Sequence, residues 1–420
     1  MSQTITDLFV SHLYEIAIAP ISSNAVEQAR LCLLDYNGVA MAGAKILTER
    51  ENAFLERVKH QGGNVSVIGH FEKTTLQNAA FLNAMSAHTA ELDDGHRQGQ
   101  IHLGASIISA LLPVVEVESL SEESLIRGIV VGYEAAIRMA MAMNPAHKLR
   151  GYHTSGTCGI IGVAMAIAAA MRFSYPQMKT ALSAAAASAA GLLEMQEDES
   201  ELKPYNLAHA AVGGIMAAYC ALSGFRGPDD ALGGKQGMLT VMTENPKLEY
   251  LTSFKEDYYQ IEKIYRKPYA ACRHGHSAIE AVLKLREAHH FEFSDITGIR
   301  IETYGMAIKG HNHKEIKGIQ SAKMSIPFGV ALALVNGSAG LKDYTEETIR
   351  NQFILNLASK VEMVEDGEIS SWVPQKRAAR VIIETSTGSY QFEVDYPKGE
   401  PENPMDKKEI ENKCYNNVSE

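Results

Sequence analysis

The sequence predicts a mainly α protein, with a large all-helical domain followed by a smaller α+β domain. Three observations carry that prediction. The 420 residues, 46% of them hydrophobic, exceed what one compact core usually holds. Over the first 264 residues, apolar side chains recur at helical spacing, many of them alanine and glycine. From Tyr265 the pattern changes, and short alternating runs appear among helical ones. The expected boundaries are 1–264 for the helical domain, 265–400 for the α+β domain, and 401–420 for a C-terminal segment returning to the helical domain.

The first expected helix is Asn24 to Ala42, with Ala25, Ala29, Leu31, Leu34 and Ala40 on its apolar stripe. Ser22 and Ser23 precede it as candidate N-caps. Leu76 to Thr89, Ser106 to Val115 and Glu122 to Met143 follow as buried helices. Gly159 to Phe173, Tyr175 to Leu193 and Leu207 to Leu222 are rich in small residues, which let helix axes approach closely. Beyond Tyr265, helices are expected at Ser277 to His290, Ser321 to Val335 and Thr345 to Leu357. Strands are expected at Ile299 to Tyr304, Val361 to Glu365, Ala379 to Glu384 and Tyr390 to Val394. The Gly-containing turn Thr385 to Ser389 joins the last two as a hairpin. Lys398 to Pro404 reads as an exit linker before a short helix.

Charge and composition narrow the function classes. The net charge is −11, and no run of Lys and Arg offers a phosphate backbone a basic patch. Nucleic acid is therefore not an expected partner. The most apolar run, Gly159 to Met171, stops at Arg172 and is too short to span a bilayer. Met1 to Ala19 lacks the basic start and continuous apolar stretch of a signal peptide. The five cysteines (Cys32, Cys158, Cys220, Cys272 and Cys414) are scattered and form no C-x-x-C pair. Free thiols of this kind fit a reducing, cytoplasmic setting.

Polar residues gather in five places. Ala90 to Gly104 packs Glu91, Asp93, Asp94, His96, Arg97 and His102 into one short stretch after an apolar helix. Acids beside histidines suit proton transfer, because each tunes the other. Arg150 to Gly159 sets His153 before a small-residue helix start, where free N–H groups can hold an anion. Glu201 to His209 places Lys203 just before Pro204, at a helix start. In Tyr265 to His276, Cys272, His274 and His276 resemble metal ligands, yet their alternate spacing suits a strand and no partner cluster follows. His311 and His313 sit in a loop. Neither a G-x-S-x-G elbow nor a dinucleotide fingerprint is present.

These clusters, in this order, resemble the MmgE/PrpD family, which includes 2-methylcitrate dehydratase, cis-aconitate decarboxylase and iminodisuccinate epimerase. The resemblance covers nearly the whole chain. It rests on AHTAELDDGH followed by IHLGA, on YHTSGTCG, on LKPYNLAHAA, on KPYAACRHGHSAIEA and on YPKGEPENPM. It implies that the smaller domain is a lid, that the site lies between the domains, that no cofactor or metal is needed, and that the protein is a homodimer. The substrate implied is a small di- or tricarboxylate. Carried over by motif, the catalytic residues would be His102, His153, Lys203 and His276, with Glu91, Asp93, Asp94 and Lys267 binding substrate. His and Lys would neutralise the substrate's charges while a base removes a proton beside a carboxylate. His102 and His153 are the preferred proton-transfer pair.

Three departures bear on the reaction. Glu91 stands where decarboxylase and dehydratase members begin a D-x-D-D-like motif. Phe328, in KMSIPFGVA, stands where the decarboxylases have a functional tyrosine, and a phenyl ring has no proton to give. The chain ends soon after Cys414, where the family continues in a helical segment, so the helical domain is expected to be incomplete or to close differently. The resemblance thus implies a dehydratase-like lyase first. An epimerase, a decarboxylase and a non-catalytic carboxylate-binding relative are the alternatives.

Overall fold

The computed structural model describes residues 3–196, 200–289 and 291–419. The chain divides into two compact units, one formed by Met1–Ile264 with Lys407–Ser419 and the other by Tyr265–Asp406.

The first unit is helical. Its long elements are α1 (Ile5–Ile18), α2 (Ser23–Val58), α3 (Leu76–Thr89), α4 (Gly104–Glu118) and α5 (Glu122–Met143). Two short turns, α6 (Ala146–Leu149) and α7 (Thr154–Thr157), lead to α8 (Gly159–Ala170), α9 (Tyr175–Ala187) and α10 (Tyr205–Leu222). Short helices α11 (Met238–Met242) and α12 (Glu249–Thr252) follow. A two-stranded ribbon, β1 (Val65–Ser66) with β2 (Lys73–Thr74), precedes α3.

Side-chain caps set several starts. Ser22 Oγ accepts the Ala25 N–H at 3.2 Å, Thr75 Oγ1 that of Asn78 at 3.3 Å, and Ser121 Oγ that of Ser124 at 3.2 Å. Thr4 and Asp7 form a reciprocal cap on α1. α2 runs sixteen residues past the expected Ala42, because Gly43 serves an approach rather than a break: a Cβ there would lie 1.8 Å from the Ser86 carbonyl of α3.

The small residues do what their pattern implies. A Cβ on Gly132 of α5 would lie 2.9 Å from the Gly162 carbonyl of α8, and one on Gly162 would lie 2.8 Å from the Gly132 carbonyl. Every residue of α8 is buried. The close crossing makes α8 the centre of the unit, with α4, α5 and α10 around it.

In the second unit, four strands pair in the order β4–β3–β5–β6: β3 (Ile296–Thr303), β4 (Val361–Glu365), β5 (Ala379–Thr385) and β6 (Ser389–Val394). β3 and β4 are parallel, and the other pairs are antiparallel. Helix α13 (His276–Ala288) packs on β5 and β6. The last residue expected of this helix, His290, lies outside the described residues. The short α14 (Gly305–Ile308) follows. The single helix expected over 321–335 is two, α15 (Ile319–Met324) and α16 (Ile326–Asn336). Pro327 forces the break, and Ser325 caps the second helix by accepting the Phe328 N–H at 3.2 Å. Over 345–357 a 3₁₀ turn precedes α17 (Gln352–Ser359). The unit closes with α18 (Gly367–Ser371). Helix α19 (Lys407–Ser419) belongs to the first unit and packs on α2. None of the described helices is long and apolar enough to cross a membrane.

Candidate active site

Six of the expected site residues lie in the first unit, in or around the segment between α3 and α4. Glu91 adopts a left-handed backbone, φ 56°, which turns the chain sharply after α3. The turn points three carboxylates at different partners. Asp94 Oδ1 accepts the Gly104 N–H at 2.9 Å and so caps α4, while Oδ2 accepts from the Tyr133 hydroxyl at 2.6 Å. Asp93 Oδ2 is 2.8 Å from His88 Nδ1 and 3.1 Å from His102 Nδ1. Glu91 pairs with the Lys203 ammonium.

These contacts assign the tautomers. His102 Nδ1 faces the Asp93 carboxylate and the Asp94 carbonyl, each at 3.1 Å, so it carries the proton. Its Nε2 is then the unprotonated ring nitrogen of the neutral imidazole. His88 donates from Nδ1 in the same way, and its Nε2 stands 3.9 Å from Glu91 Oε1. The His88 and His102 rings meet edge-on at 4.8 Å, and the His153 ring lies 6.5 Å from His88.

His153 is delivered by α7. Its backbone N–H donates to the Gly191 carbonyl at 3.0 Å. Gly156 permits that approach, since a Cβ there would lie 2.5 Å from the Ala190 carbonyl. Ser155 Oγ accepts the His102 N–H at 3.0 Å, which ties α7 to the acidic segment. Asn206 of α10 donates to the Leu192 carbonyl at 3.1 Å, holding the start of α10 near Lys203 on the same strip of chain. Among the described residues, His153 Nδ1 has no hydrogen-bond partner although the side chain is buried. Burial holds this imidazole well below its ordinary value, and the neighbouring His88, Lys203 and His102 push the same way. It is neutral at neutral pH, with a lone pair to offer.

Burial pushes the Asp94 carboxyl up to about 6, against the hydrogen bonds from Tyr133 and Gly104; the Asp93 and Asp35 carboxylates add to the rise. The folded chain therefore keeps a proton on Asp94 where the unfolded chain, with an ordinary value of 3.8, has lost it. This contribution to stability is fully present below pH 3.8 and is lost as pH rises through about 6. A shift of that size corresponds to ~3 kcal/mol. Asp94→Asn should thus lose less stability than the parent between pH about 4 and 7, read from urea midpoints. Parallel curves for the two proteins would contradict the assignment.

One ligand atom each from His88, Asp93 and His102 lie within 4.8 Å of one another, a spacing a cation can bridge. Asp93 Oδ2 already lies within hydrogen-bonding distance of Nδ1 of both imidazoles.

His276 and Lys267 lie in the second unit, where both are fully buried. Arg273 donates to His276 Nδ1 at 2.8 Å, so His276 Nε2–H donates to the Ala271 carbonyl at 3.1 Å. Arg273 also grips Glu400 at 2.8 Å. The strand expected through Cys272, His274 and His276 is instead a 3₁₀ turn, Arg273–Gly275, leading into α13. The turn directs His276 away from the other two: Cys272 Sγ lies 3.6 Å from His311 Nε2, while His274 stacks on the same His311 ring at 5.3 Å and its Nδ1 lies 2.7 Å from the Tyr304 hydroxyl. Phe328 is fully buried and packs 6.2 Å from the Tyr344 ring.

The sequence does not single out His88 or Tyr133. His88 sits inside the α3 pattern as an ordinary helical residue, and only its spacing of three to Glu91 and five to Asp93 hints at a shared site. Tyr133 is far from the cluster in sequence and reaches it only through the packing of α5.

Comparison with known proteins adds the lineage. A family model described as the MmgE/PrpD N-terminal domain matches residues 8–251, and one described as the MmgE/PrpD C-terminal domain matches residues 269–420. The cis-aconitate decarboxylase-like protein oryM of Aspergillus oryzae is 26% identical over 409 residues, covering 92% of this chain and 84% of that protein. Human cis-aconitate decarboxylase is 24% identical over 240 residues, 55% of this chain and 49% of that protein. A probable 2-methylcitrate dehydratase of Saccharomyces cerevisiae is 27% identical over 174 residues, 39% of this chain and 34% of that protein. The matched stretch thus spans about half of the human relative and a third of the yeast one.

Proposed function

The chain belongs to the MmgE/PrpD family, and on that premise we propose that it is a lyase acting beside a carboxylate of a small di- or tricarboxylate, with its own side chains as acid and base. The observation that carries this reading is the group of three imidazoles and one ammonium in the first unit, buried at His88 and His153 and half-buried at His102 and Lys203, each cation-capable side chain backed by a carboxylate except His153. His153 is the base: its neutral ring takes the proton from the carbon next to the carboxylate. The C–H electrons form the double bond, and the carbon–oxygen bond on the neighbouring carbon breaks. His102, protonated at Nε2 and steadied by Asp93, gives its proton to the departing hydroxyl, which leaves as water. Lys203 holds a substrate carboxylate.

Glu91, Asp93 and Asp94 are assigned a positioning part rather than the substrate contacts expected of them. Their oxygens face Lys203, the two imidazoles, and Tyr133 with the α4 amide, and a carboxylate turned toward an anionic substrate would repel it. His276, engaged at both ring nitrogens, orients Arg273.

Dehydration is the favoured reaction because Phe328 has no proton to supply where decarboxylases have a tyrosine. Decarboxylation is the second reading, favoured by the names of the Aspergillus and human relatives. Incubation with 2-methylcitrate, citrate, cis-aconitate, substituted succinates and iminodisuccinate, followed by proton NMR and CO2 release, separates the two. An unsaturated acid formed without CO2 is the expected product. CO2 from cis-aconitate would overturn dehydration in favour of the second reading, and racemisation alone would favour an isomerase. A cytoplasmic homodimer is proposed with it; light scattering at micromolar concentration reads the dimer directly.

A further inference from the structure

The acidic segment of the site is gripped from behind by the C-terminal helix. Lys413 of α19 donates from Nζ to the Leu92 carbonyl at 2.8 Å and pairs with Asp35 Oδ1 of α2 at 2.7 Å. Its side chain is 8% exposed and that of Asp35 is 2% exposed. Leu92 stands between Glu91, which holds Lys203, and Asp93, which holds His88 and His102. One ammonium thus fixes the backbone midway between the two carboxylates that orient the proposed catalytic groups.

Lys413 has little freedom to be elsewhere. α19 lies so close to α2 that a Cβ on Gly38 would sit 2.6 Å from the Cys414 Cα. Ile410 is fully buried, and Lys45 of α2 donates to the Val418 carbonyl at 2.7 Å. Glu91, with its left-handed backbone, is a place where tertiary contacts must hold the chain against local preference.

We propose that Lys413 is a positioning residue of the active site, setting the Glu91–Asp93 turn through the Leu92 carbonyl. The idea rests on the acid/base reading above, which makes the groups held by that turn the catalytic ones. A displacement of the turn would move His102 and Lys203 together, and misplacements on the order of 1 Å cost up to about 100-fold in rate.

The test compares Lys413→Met, Lys413→Arg and the pair Lys413→Met/Asp35→Asn, which leaves no unpaired buried carboxylate. Each is measured for kcat and KM on whichever acid the parent converts, and for hydrogen exchange of residues 91–104. The expected result is a kcat lowered about 10- to 100-fold in Lys413→Met and in the pair, with KM nearly unchanged. Amides of 91–104 should lose protection in both while α19 keeps its own. Lys413→Arg, which can still reach the carbonyl, should recover part of the rate. A parental kcat in the folded pair variant would show that Lys413 only balances the Asp35 charge, and would overturn the proposal. If no acid is converted by the parent, the functional reading fails by itself; exchange then still decides, and unchanged protection over 91–104 overturns the positioning role.

Discussion

His153→Ala should lower turnover by at least roughly 100-fold while the fold persists. The expectation follows from how the residue is held. Its position is set by main-chain bonds, the His153 N–H to the Gly191 carbonyl and the Gly156 N–H to the His153 carbonyl, and alanine keeps both. Nδ1 has no hydrogen-bond partner among the described residues, so truncation orphans nothing there. A structural histidine removed from a buried site would show in the thermal midpoint; a catalytic one shows in kcat. Protonation of His153 is suppressed by burial, so folding is favoured above the ordinary value of 6.5 and loses this contribution as pH falls below it. The alanine variant should therefore resist mild acid slightly better than the parent. A parental kcat would remove His153 from the chemistry.

Lys203→Met should be nearly as costly for turnover, roughly 100-fold in kcat/KM, and unlike His153→Ala it should also destabilise the fold. Lys203 is paired with Glu91, whose side chain is 5% exposed. Removing the ammonium leaves that carboxylate buried without it, a change that typically costs about 3–5 kcal/mol. Lys203→Met/Glu91→Gln separates the two effects. The double variant should regain most of the lost stability and none of the lost turnover, because glutamine needs no counter-charge while the substrate still does. Recovery of turnover along with stability would show Lys203 to be a structural partner of Glu91 and no more.

The helices were legible where local chemistry alone ends them. α3 and α5 begin and finish where the sequence indicates, since Thr75 and Ser121 cap them and their apolar residues keep one period. α2 runs past Ala42 through Gly43, which admits the Ser86 carbonyl of α3, a fact of tertiary packing that the local pattern does not carry. The break between α15 and α16 was written in Ser325 and Pro327, yet the apolar periodicity on either side hid it. The strand expected through Cys272 and His276 failed because alternation over five residues also fits a tight turn entering a helix. In the site, residue types and their clustering were visible, but partners were not. Spacing could not say that Asp93 would face two imidazoles, one of them from inside α3, or that Tyr133 and Lys413 would close on the acidic segment from remote helices.

In the proposed reaction the buried His153 is the base that abstracts a proton beside a carboxylate. Solvent-deuterium exchange tests it most directly. The parent and His153→Ala are incubated in deuterated water with the acid the parent converts, and the carbon next to the carboxylate is followed by NMR. Deuterium should enter that carbon with the parent and at a rate at least roughly 100-fold lower with His153→Ala. Equal rates of deuterium entry in the two proteins would contradict the account.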